Sequence, residues 1–306
     1  MYNLIYGLVW SLSKLPFCVL YVIADVIYFL AYYVARYRRK VVRDNLTSAF
    51  PNRSVEEIKK IERNFYHFFA DYIVETIKLL TISEKQMMER MEMTGVSEMI
   101  DYLKEHNKTF GFIYLAHYGN WEWVSSLAKR IHNVDSNIST GQIYHPLRNK
   151  HFNRLFLFLR NRFEGENIAM KETLRYIINK KRSNEMTIIG FIADQAPKWN
   201  SIHHWTDFLN HKTPVFTGTE QIAKQVDAAL FYGDVERVSR GHYKLTITPM
   251  TSEPKAVPDY DITDEYFRLL EATIEARPAI WLWSHKRWKR TYEEFLERQA
   301  VKGKEA

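Results

Sequence analysis

Cysteine is almost absent from this chain, since Cys18 is the single cysteine among 306 residues. No disulfide can therefore form within the chain, and a lone cysteine fits a reducing compartment. Cys18 lies in an apolar segment, where we expect an unreactive thiol, with palmitoylation as the alternative.

Motifs that mark several common enzyme classes are also missing. Neither the dinucleotide-binding motif GxGxxG nor the phosphate-binding loop GxxxxGK[ST] occurs in the sequence. Dinucleotides and nucleoside triphosphates are therefore not expected as ligands. The lack of GxSxG argues against a covalent acyl-enzyme on serine. HExxH and paired cysteines are absent, and the tightest histidine cluster is His203-His204. The sequence therefore predicts no metal and no cofactor.

Positive charge and aromatic residues are what the chain has in excess. Lysine and arginine outnumber the acids 43 to 36, and there are 8 Trp, 19 Tyr and 18 Phe. Aromatic residues of this kind tolerate the boundary between water and the apolar part of a membrane. The basic residues cluster beside an apolar segment and at residues 285–290, which suits anionic lipid as well as a phosphate backbone. We expect a membrane surface as partner, and no nucleic acid.

The apolar segment covers residues 15–35, LPFCVLYVIADVIYFLAYYVA, and is long enough to cross a bilayer. Five basic residues follow between Arg36 and Arg43, which predicts that the main body lies in the cytoplasm. No small-residue cleavage site is evident, so a removed signal peptide is not expected. Asp25 and the tyrosines leave open a helix lying in the membrane plane, and a buried core helix is the third alternative.

Beyond this segment the pattern alternates between helix and strand. Residues 54–80 predict a long amphipathic helix opened by a capping box, Ser54 and Glu57, and two shorter helices follow it. Further on, we expect strands near 110–117, 138–144, 186–193, 228–238 and 242–250, and helices near 120–132, 150–163, 170–181, 217–227 and 263–276. This order predicts an α/β sandwich with a mostly parallel central sheet, preceded by an N-terminal membrane-anchor helix.

The stretch LAHYGNWEW, residues 115–123, carries the strongest chemical signal. His117 ends a predicted strand, and Asn120 is predicted to cap the helix that follows, which is where ligand sites form in α/β sheets. If Glu122 accepts a hydrogen bond from one imidazole nitrogen, the other nitrogen can act as a general base toward a substrate hydroxyl. The alternative is a capping histidine with an ordinary first-turn acid.

This stretch resembles the His-Phe-Gly-Asn-Trp-Glu box of the lipid A biosynthesis (lauroyl/myristoyl) acyltransferases, with Tyr118 in place of phenylalanine. Further segments resemble other boxes of that family in the same order: YHPLRN at 144–149, RNRFEG at 160–165, ADQAP at 193–197 and WLWSHKRWK at 281–289. The resemblance covers nearly the whole chain. It departs at His145, where the family usually has arginine, and in FLNHKTPVFTG at 208–218.

The resemblance implies an acyltransferase-type α/β domain at 44–306, behind a membrane anchor and basic flank at 1–43. It implies transfer of a fatty acyl chain from acyl carrier protein, or from acyl-CoA, to a hydroxyl of a lipid A precursor at the cytoplasmic face of the inner membrane. The thioester is already activated, so no cofactor is needed. His117 would be the base and Glu122 its partner, and the residues expected to bind the oxyanion or substrate are Asn120, Arg160, Arg162, Asp194 and Gln195.

Other interpretations stay open for these boxes. The two arginines can be solvated charges at a helix end, and Asp194-Gln195 can simply close a turn. Trp281, Trp283 and Trp288 are typical of core and membrane-edge packing, whereas a surface for lipid phosphate or carrier protein is expected from His285, Lys286, Arg287 and Lys289. For the whole protein, the alternatives are an acyltransferase for another lipid, which His145 would suit, and a non-catalytic membrane adaptor.

Overall fold

The β-branched and aromatic runs build one central sheet in the computed structural model, which describes residues 2–305. Because parallel strands inside an α/β fold are covered on both faces, their sequences are almost continuously apolar, and every residue of the strand Phe110–Leu115 is buried. The strands in chain order are β1 (Met91–Thr94), β2 (Phe110–Leu115), β3 (Ser139–Tyr144), β4 (Glu166–Ala169), β5 (Thr187–Ile192), β6 (His204–Phe208), β7 (His211–Val215), β8 (Ala229–Ser239) and β9 (His242–Thr251).

Seven of these strands form the central sheet, in the order β1-β9-β8-β2-β5-β3-β4. The five strands from β8 to β4 run parallel to one another, β9 pairs antiparallel with β8, and β1 runs parallel to β9. The predicted mostly parallel α/β sheet is therefore confirmed. Strands β6 and β7 form a separate antiparallel hairpin.

Helices cover both faces of the sheet. Side chains of β2 alternate between the faces, so Tyr114 stacks on Tyr266 while Ile113 and Leu115 point to the opposite side. The helices are α1 (Tyr2–Ser13), α2 (Phe17–Phe29), α3 (Arg39–Ala49), α4 (Val55–Lys78), α5 (Glu84–Arg90), α6 (Val96–Glu105), α7 (Leu127–Val134), α8 (Lys150–Arg160), α9 (Thr173–Ser183), α10 (Gly218–Val226), α11 (Asp261–Ala276) and α12 (Tyr292–Glu305).

Most predicted elements lie within a few residues of the observed ones, and the capping box of Ser54 and Glu57 is present. The predicted helix at 120–132 begins later, with a 3₁₀ turn at Trp123–Ser126 followed by α7. The residues before it are held by the chain near Trp281 instead, because Gly119 N–H donates to the Ile280 carbonyl and Leu282 N–H to that of His117. The short strands β1 and β4 and the β6–β7 hairpin were not predicted.

The N-terminal apolar segment forms one continuous helix, because a π-helical turn at Leu30–Val34 directly extends α2. Residues Phe17–Val34 have a mean hydropathy of 2.0 and are long enough to cross a membrane. Only 17% of them are buried inside the protein, which argues against an ordinary core helix. The buried side is made by Phe17, Leu20 and Ala24, and this side packs on α4.

Candidate active site

The register of β2 and β5 brings His117 and Asp194 together. Leu115 and Ile192 are partners at the carboxyl ends of these parallel strands, and the two site residues lie two positions beyond them. His117 Nδ1 is 2.7 Å from Asp194 Oδ1, and the His117 backbone N–H donates to Oδ2 at 3.1 Å. This register places the two strand ends side by side and produces a direct imidazole–carboxylate pair.

Asp194 is ionised and fixed in place by its surroundings. The side chain is 2% exposed, and Trp281 Nε1 donates to its Oδ2 at 2.9 Å. Burial alone would raise the pKa of Asp194, but the charge of His117 and the hydrogen bonds from His117 and Trp281 outweigh it and hold the pKa below its usual value. A carboxylate at Nδ1 holds a proton on that nitrogen, so in the neutral form of the ring the lone pair is on Nε2.

Gln195 and Trp121 enclose the imidazole. Gln195 Nε2 lies 3.3 Å from His117 Nε2, so its amide can donate to that lone pair. The Trp121 ring meets the imidazole edge to face at 5.3 Å and stacks on Tyr72 at 4.1 Å. The imidazole therefore has an amide close to Nε2 and an aromatic ring packed against it.

Glu122 has a different partner from the one expected. Both of its carboxylate oxygens accept hydrogen bonds from Arg160, at 2.9 Å from Nε and 2.7 Å from Nη2. Within the described residues, His117 makes no hydrogen bond to Glu122. The helical spacing behind that expectation fails because Gly119, at φ +58°, turns the chain between the two residues. Glu122, which is 3% exposed, instead ties its loop to the end of α8.

Asn120 holds the loop before the 3₁₀ turn in place. Its Oδ1 accepts the backbone N–H of Trp123 at 3.2 Å, and its Nδ2 donates to Glu75 at 2.8 Å. The N-cap position of the turn is Glu122 and not Asn120 as predicted. The Asn120 side chain is fully buried by these contacts and lies outside the cavity lining. It is therefore committed to the fold and does not point toward the imidazole.

Arg162 lies apart from Arg160, although two positions separate them. Its guanidinium donates to the backbone carbonyls of Leu79 and Ile82, the latter at 2.9 Å, and burial lowers its pKa. It lies outside the cavity lining. Arg162 thus holds the chain after α4, and Arg160 alone of the two reaches the site.

A cavity of about 1020 Å³ opens beside His117, between the sheet and α7. Gly141 and Gly190 on neighbouring strands keep it open, because a Cβ at position 190 would lie 3.2 Å from the Leu115 side chain. The lining combines polar side chains with a larger apolar part. Its aliphatic residues include Ile113, Leu115, Val124, Leu127, Ala128, Ile131, Ile143, Ile188 and Ile192.

A family model of bacterial lipid A biosynthesis acyltransferases matches residues 1–290. The chain belongs to this family. No individual curated protein matches it.

The arrangement brings an imidazole with a buried carboxylate partner to a cavity whose lining is largely apolar. Of the predicted site residues, the cavity collects His117, Glu122, Arg160 and Gln195, with Asp194 directly behind the histidine. Exposed Lys171 and Lys198 also line it, as does exposed His145. The described residues contain no group of three or more His, Cys, Asp or Glu that could hold a metal ion.

The closing segment contributes an unexpected buried cation. Arg287 is 0% exposed, and its Nη2 donates to the Pro214 carbonyl at 2.9 Å. Burial lowers its pKa to about 10, against the attraction of Asp194. The prediction that residues 285–289 form a surface is therefore wrong for Arg287, although Lys286 and Lys289 are exposed.

The tryptophans of the same segment lie in the core, as one interpretation predicted. Trp281 and Trp283 are buried and pack edge to face at 4.7 Å. Trp288 is half-buried and donates to Thr213 Oγ1 at 2.9 Å. Sequence reasoning missed the bond from Trp281 to Asp194, since no local spacing connects positions 87 residues apart.

Proposed function

We propose that the protein is a membrane-bound O-acyltransferase. It transfers a fatty acyl chain from acyl carrier protein, or from acyl-CoA, to a hydroxyl of a lipid A precursor at the cytoplasmic face of the inner membrane. The observation that carries this proposal is an imidazole, backed by a buried carboxylate, that opens onto an apolar cavity of about 1020 Å³. Family membership supplies the reaction class.

His117 acts as the general base. Its Nε2 removes the proton of the acceptor hydroxyl as that oxygen attacks the thioester carbonyl, and the tetrahedral intermediate carries an oxyanion. Collapse of this intermediate breaks the carbon–sulfur bond and forms the ester. The leaving thiolate is protonated by the imidazolium, which carries the proton taken from the acceptor hydroxyl. Asp194 stabilises this imidazolium through the 2.7 Å contact at Nδ1.

Gln195 is the best-placed donor for the oxyanion. Its Nε2 already lies 3.3 Å from the base nitrogen, so the carbonyl attacked there falls within reach of the same amide. This role replaces the one expected of Asn120, whose side chain is committed to Trp123 and Glu75.

The fatty acyl chain occupies the aliphatic part of the cavity. Ile113 and Leu115 precede His117 on one face of β2, so a chain whose carbonyl lies at the histidine extends back along the strand. Each methylene buried there contributes about 0.8 kcal/mol of transfer free energy. A large apolar cavity therefore favours a long-chain donor.

Glu122 and Arg160 position the site without taking the proton. Their bidentate pair joins the loop after β2 to the end of α8, so it sets the width of the cavity between them. Burial would lower the pKa of Arg160, but Glu122 raises it above its usual value, so Arg160 stays charged.

The charges at the cavity suit anionic substrates. Lys171 and Lys198 are exposed and line the cavity, where they can meet acceptor phosphates or the phosphate of the carrier's prosthetic group. They take over the substrate-binding role that was expected of Arg160 and Arg162, which are engaged by protein groups.

One observation favours a second acceptor class. His145 lines the cavity where the family usually has an arginine, so a fixed positive charge is missing there. An acceptor without phosphate, such as a glycolipid or aminoacyl lipid, would lose less binding affinity from the missing positive charge than a lipid A precursor would.

Purified protein should be tested with acyl carrier protein and CoA thioesters against three acceptors, with products measured by mass spectrometry. The acceptors are a phosphorylated lipid A precursor, its dephosphorylated form and a lysophospholipid. We expect transfer to the phosphorylated precursor that requires His117. Transfer to the dephosphorylated form alone would support the second class, and transfer to the lysophospholipid alone would indicate a different phosphorylated acceptor. A folded protein without transfer to any acceptor would indicate an adaptor.

A further inference from the structure

The N-terminal apolar helix runs alongside α4 for most of its length, in the opposite direction. Near its start, Lys78 Nζ donates to the Leu15 carbonyl at 2.9 Å. Near its middle, Tyr28 stacks on His67 at 3.5 Å, and Tyr32 packs against Tyr66 further along. The helix is thus docked on the folded domain and does not project from it.

Charged groups lie at the same level as the middle of this helix. Asp25 pairs with Arg240 at 2.6 Å, and Arg240 also binds Asp71 of α4 at 2.7 Å. Arg240 lies in the turn between β8 and β9, so the end of a β-hairpin lies there too. If the helix crossed a bilayer, these charges and this turn would lie in the hydrocarbon core, where charged groups and exposed irregular backbone are strongly disfavoured.

The opposite side of the helix is a single apolar stripe. Large apolar side chains that are exposed recur there at spacings of three and four residues, which places them on one helical face. The stripe consists of Val19, Val22, Val26, Phe29 and Tyr33. A stripe of this kind matches the boundary between headgroups and acyl chains of a bilayer.

Basic side chains flank both ends of the stripe. Lys14 precedes it, and Arg36, Arg38 and Lys40 follow it, all exposed. The closing segment lies close to the second group of cations. Arg38 donates to the Ser284 carbonyl at 2.9 Å. Burial lowers the pKa of Lys289, and the positive charge of nearby Arg38 adds to this effect. The cations therefore lie where anionic headgroups would meet a helix resting in the interface.

Helix α8 and the segment before it also carry exposed apolar side chains. Phe158 packs edge to face on Tyr6 of α1 at 6.0 Å and is 47% exposed. Phe152 and Leu147 are exposed along the same segment, beside exposed Lys150. Residues 145–147 also line the cavity, so this segment places exposed apolar side chains at the edge of the cavity.

We propose that Phe17–Val34 lies in the plane of an anionic membrane surface and does not cross the bilayer, with α8 as a second lipid contact. Both ends of the chain then lie on the same side of the membrane. The cavity opens at lipid level, so an acceptor reaches His117 without leaving the bilayer. This inference rests on the membrane association in the proposed function, but it does not depend on acyl transfer.

Spin-label depth measurements test the proposal directly. Full-length protein carrying Cys18→Ser receives one cysteine at a time at Val19, Val26, Tyr33 or Phe152, and nitroxide depth is measured in vesicles containing anionic lipid. We expect all four labels at a similar shallow depth of roughly 5–10 Å. A label at exposed Lys59 of α4 is the control, and it should stay in water.

A spanning helix gives a different profile. The depth would reach the midplane, about 15 Å from the surface, near Val26 and fall toward both ends. That profile, or labels at 19–33 without lipid contact, would overturn the in-plane helix, and a water-exposed Phe152 label would overturn the α8 contact.

Protease accessibility provides a second measurement. Epitopes at the two ends of the chain should be cleaved together in vesicles of one orientation, whereas a crossing helix protects one of them. An inactive protein with a shallow, uniform profile would reject the acyl transfer alone. An active protein with a spanning profile would reject the in-plane helix alone.

Discussion

His117 Nδ1 lies 2.7 Å from Asp194 Oδ1, although 77 residues separate them in the chain. The pairing follows from the sheet, because β2 and β5 run parallel in a register that aligns Leu115 with Ile192. Strand order therefore determines which carboxylate pairs with the imidazole. Glu122, the acid nearer to His117 in the sequence, binds Arg160 instead.

Asp194→Asn should lower kcat far more than Glu122→Gln does. The amide cannot stabilise the imidazolium, so we expect a loss of about 10²–10⁴-fold in the acyl-transfer assay, as for removal of a general base. Glu122→Gln should instead lower stability by about 1–3 kcal/mol in denaturant unfolding, because Arg160 loses one charged partner in a half-buried site.

The matched control for these variants is His117→Ala, which should be as inactive as Asp194→Asn. If Glu122→Gln unfolds normally but matches the activity loss of His117→Ala, Glu122 takes part in proton transfer and the Asp194 assignment is wrong.

The sequence predicted the two strands of the site to within a few residues. Strands near 110–117 and 186–193 were expected, the first with His117 at its end, since apolar runs and turn residues are local signals. The partners of Glu122 and Arg162 could not be predicted, because they depend on the turn at Gly119 and on where α8 lies. Sequence spacing carries no information about such contacts.

The missed elements have a similar cause. Strands β1 and β4 contain four residues each, which is too short for a periodic pattern, and the β6–β7 hairpin turns at Leu209 and Asn210, both at positive φ. A leucine in that conformation gives no turn signal.

His285→Gln should make the free energy of unfolding fall less steeply as the pH is lowered. Burial lowers the pKa of His285 to about 4, from an ordinary value of 6.5. Because the folded-state pKa is depressed, this neutral histidine stabilises the fold fully above pH 6.5, and the contribution is lost as the pH falls toward 4. The loss is about 3 kcal/mol for a shift of this size.

Denaturant unfolding at several pH values checks this prediction. The wild-type free energy of unfolding should fall more steeply than that of His285→Gln between pH 6.5 and 4. Parallel curves through that window would mean that His285 can be protonated in the folded state without cost.

Gly190→Val should shift donor preference toward shorter acyl chains. A Cβ at this position lies 3.2 Å from the Leu115 side chain, on the cavity side of β5, so a larger residue narrows the space beyond His117. The ratio of kcat/KM between long and short acyl thioesters measures the effect. Gly218→Ala is the control, because nothing lies within 4 Å of its added Cβ.

A uniform loss across the donor series would contradict the assignment of the acyl chain to this cavity. Overpacking costs about 1–3 kcal/mol, so unfolding of the Gly190 variant must be measured alongside.

Removing Lys171 and Lys198 together should raise KM for the phosphorylated acceptor while leaving kcat nearly unchanged. Both side chains are exposed and line the cavity, so they contribute attraction to an anionic substrate but do not contact His117 in the described structure. Exposed charges are screened by salt, and the difference from wild type should therefore shrink between low and high ionic strength. Lys212→Ala, an exposed change on the β6–β7 hairpin, controls for net charge. An equal KM increase for the dephosphorylated acceptor would mean that the lysines contact the carrier and not the acceptor phosphate.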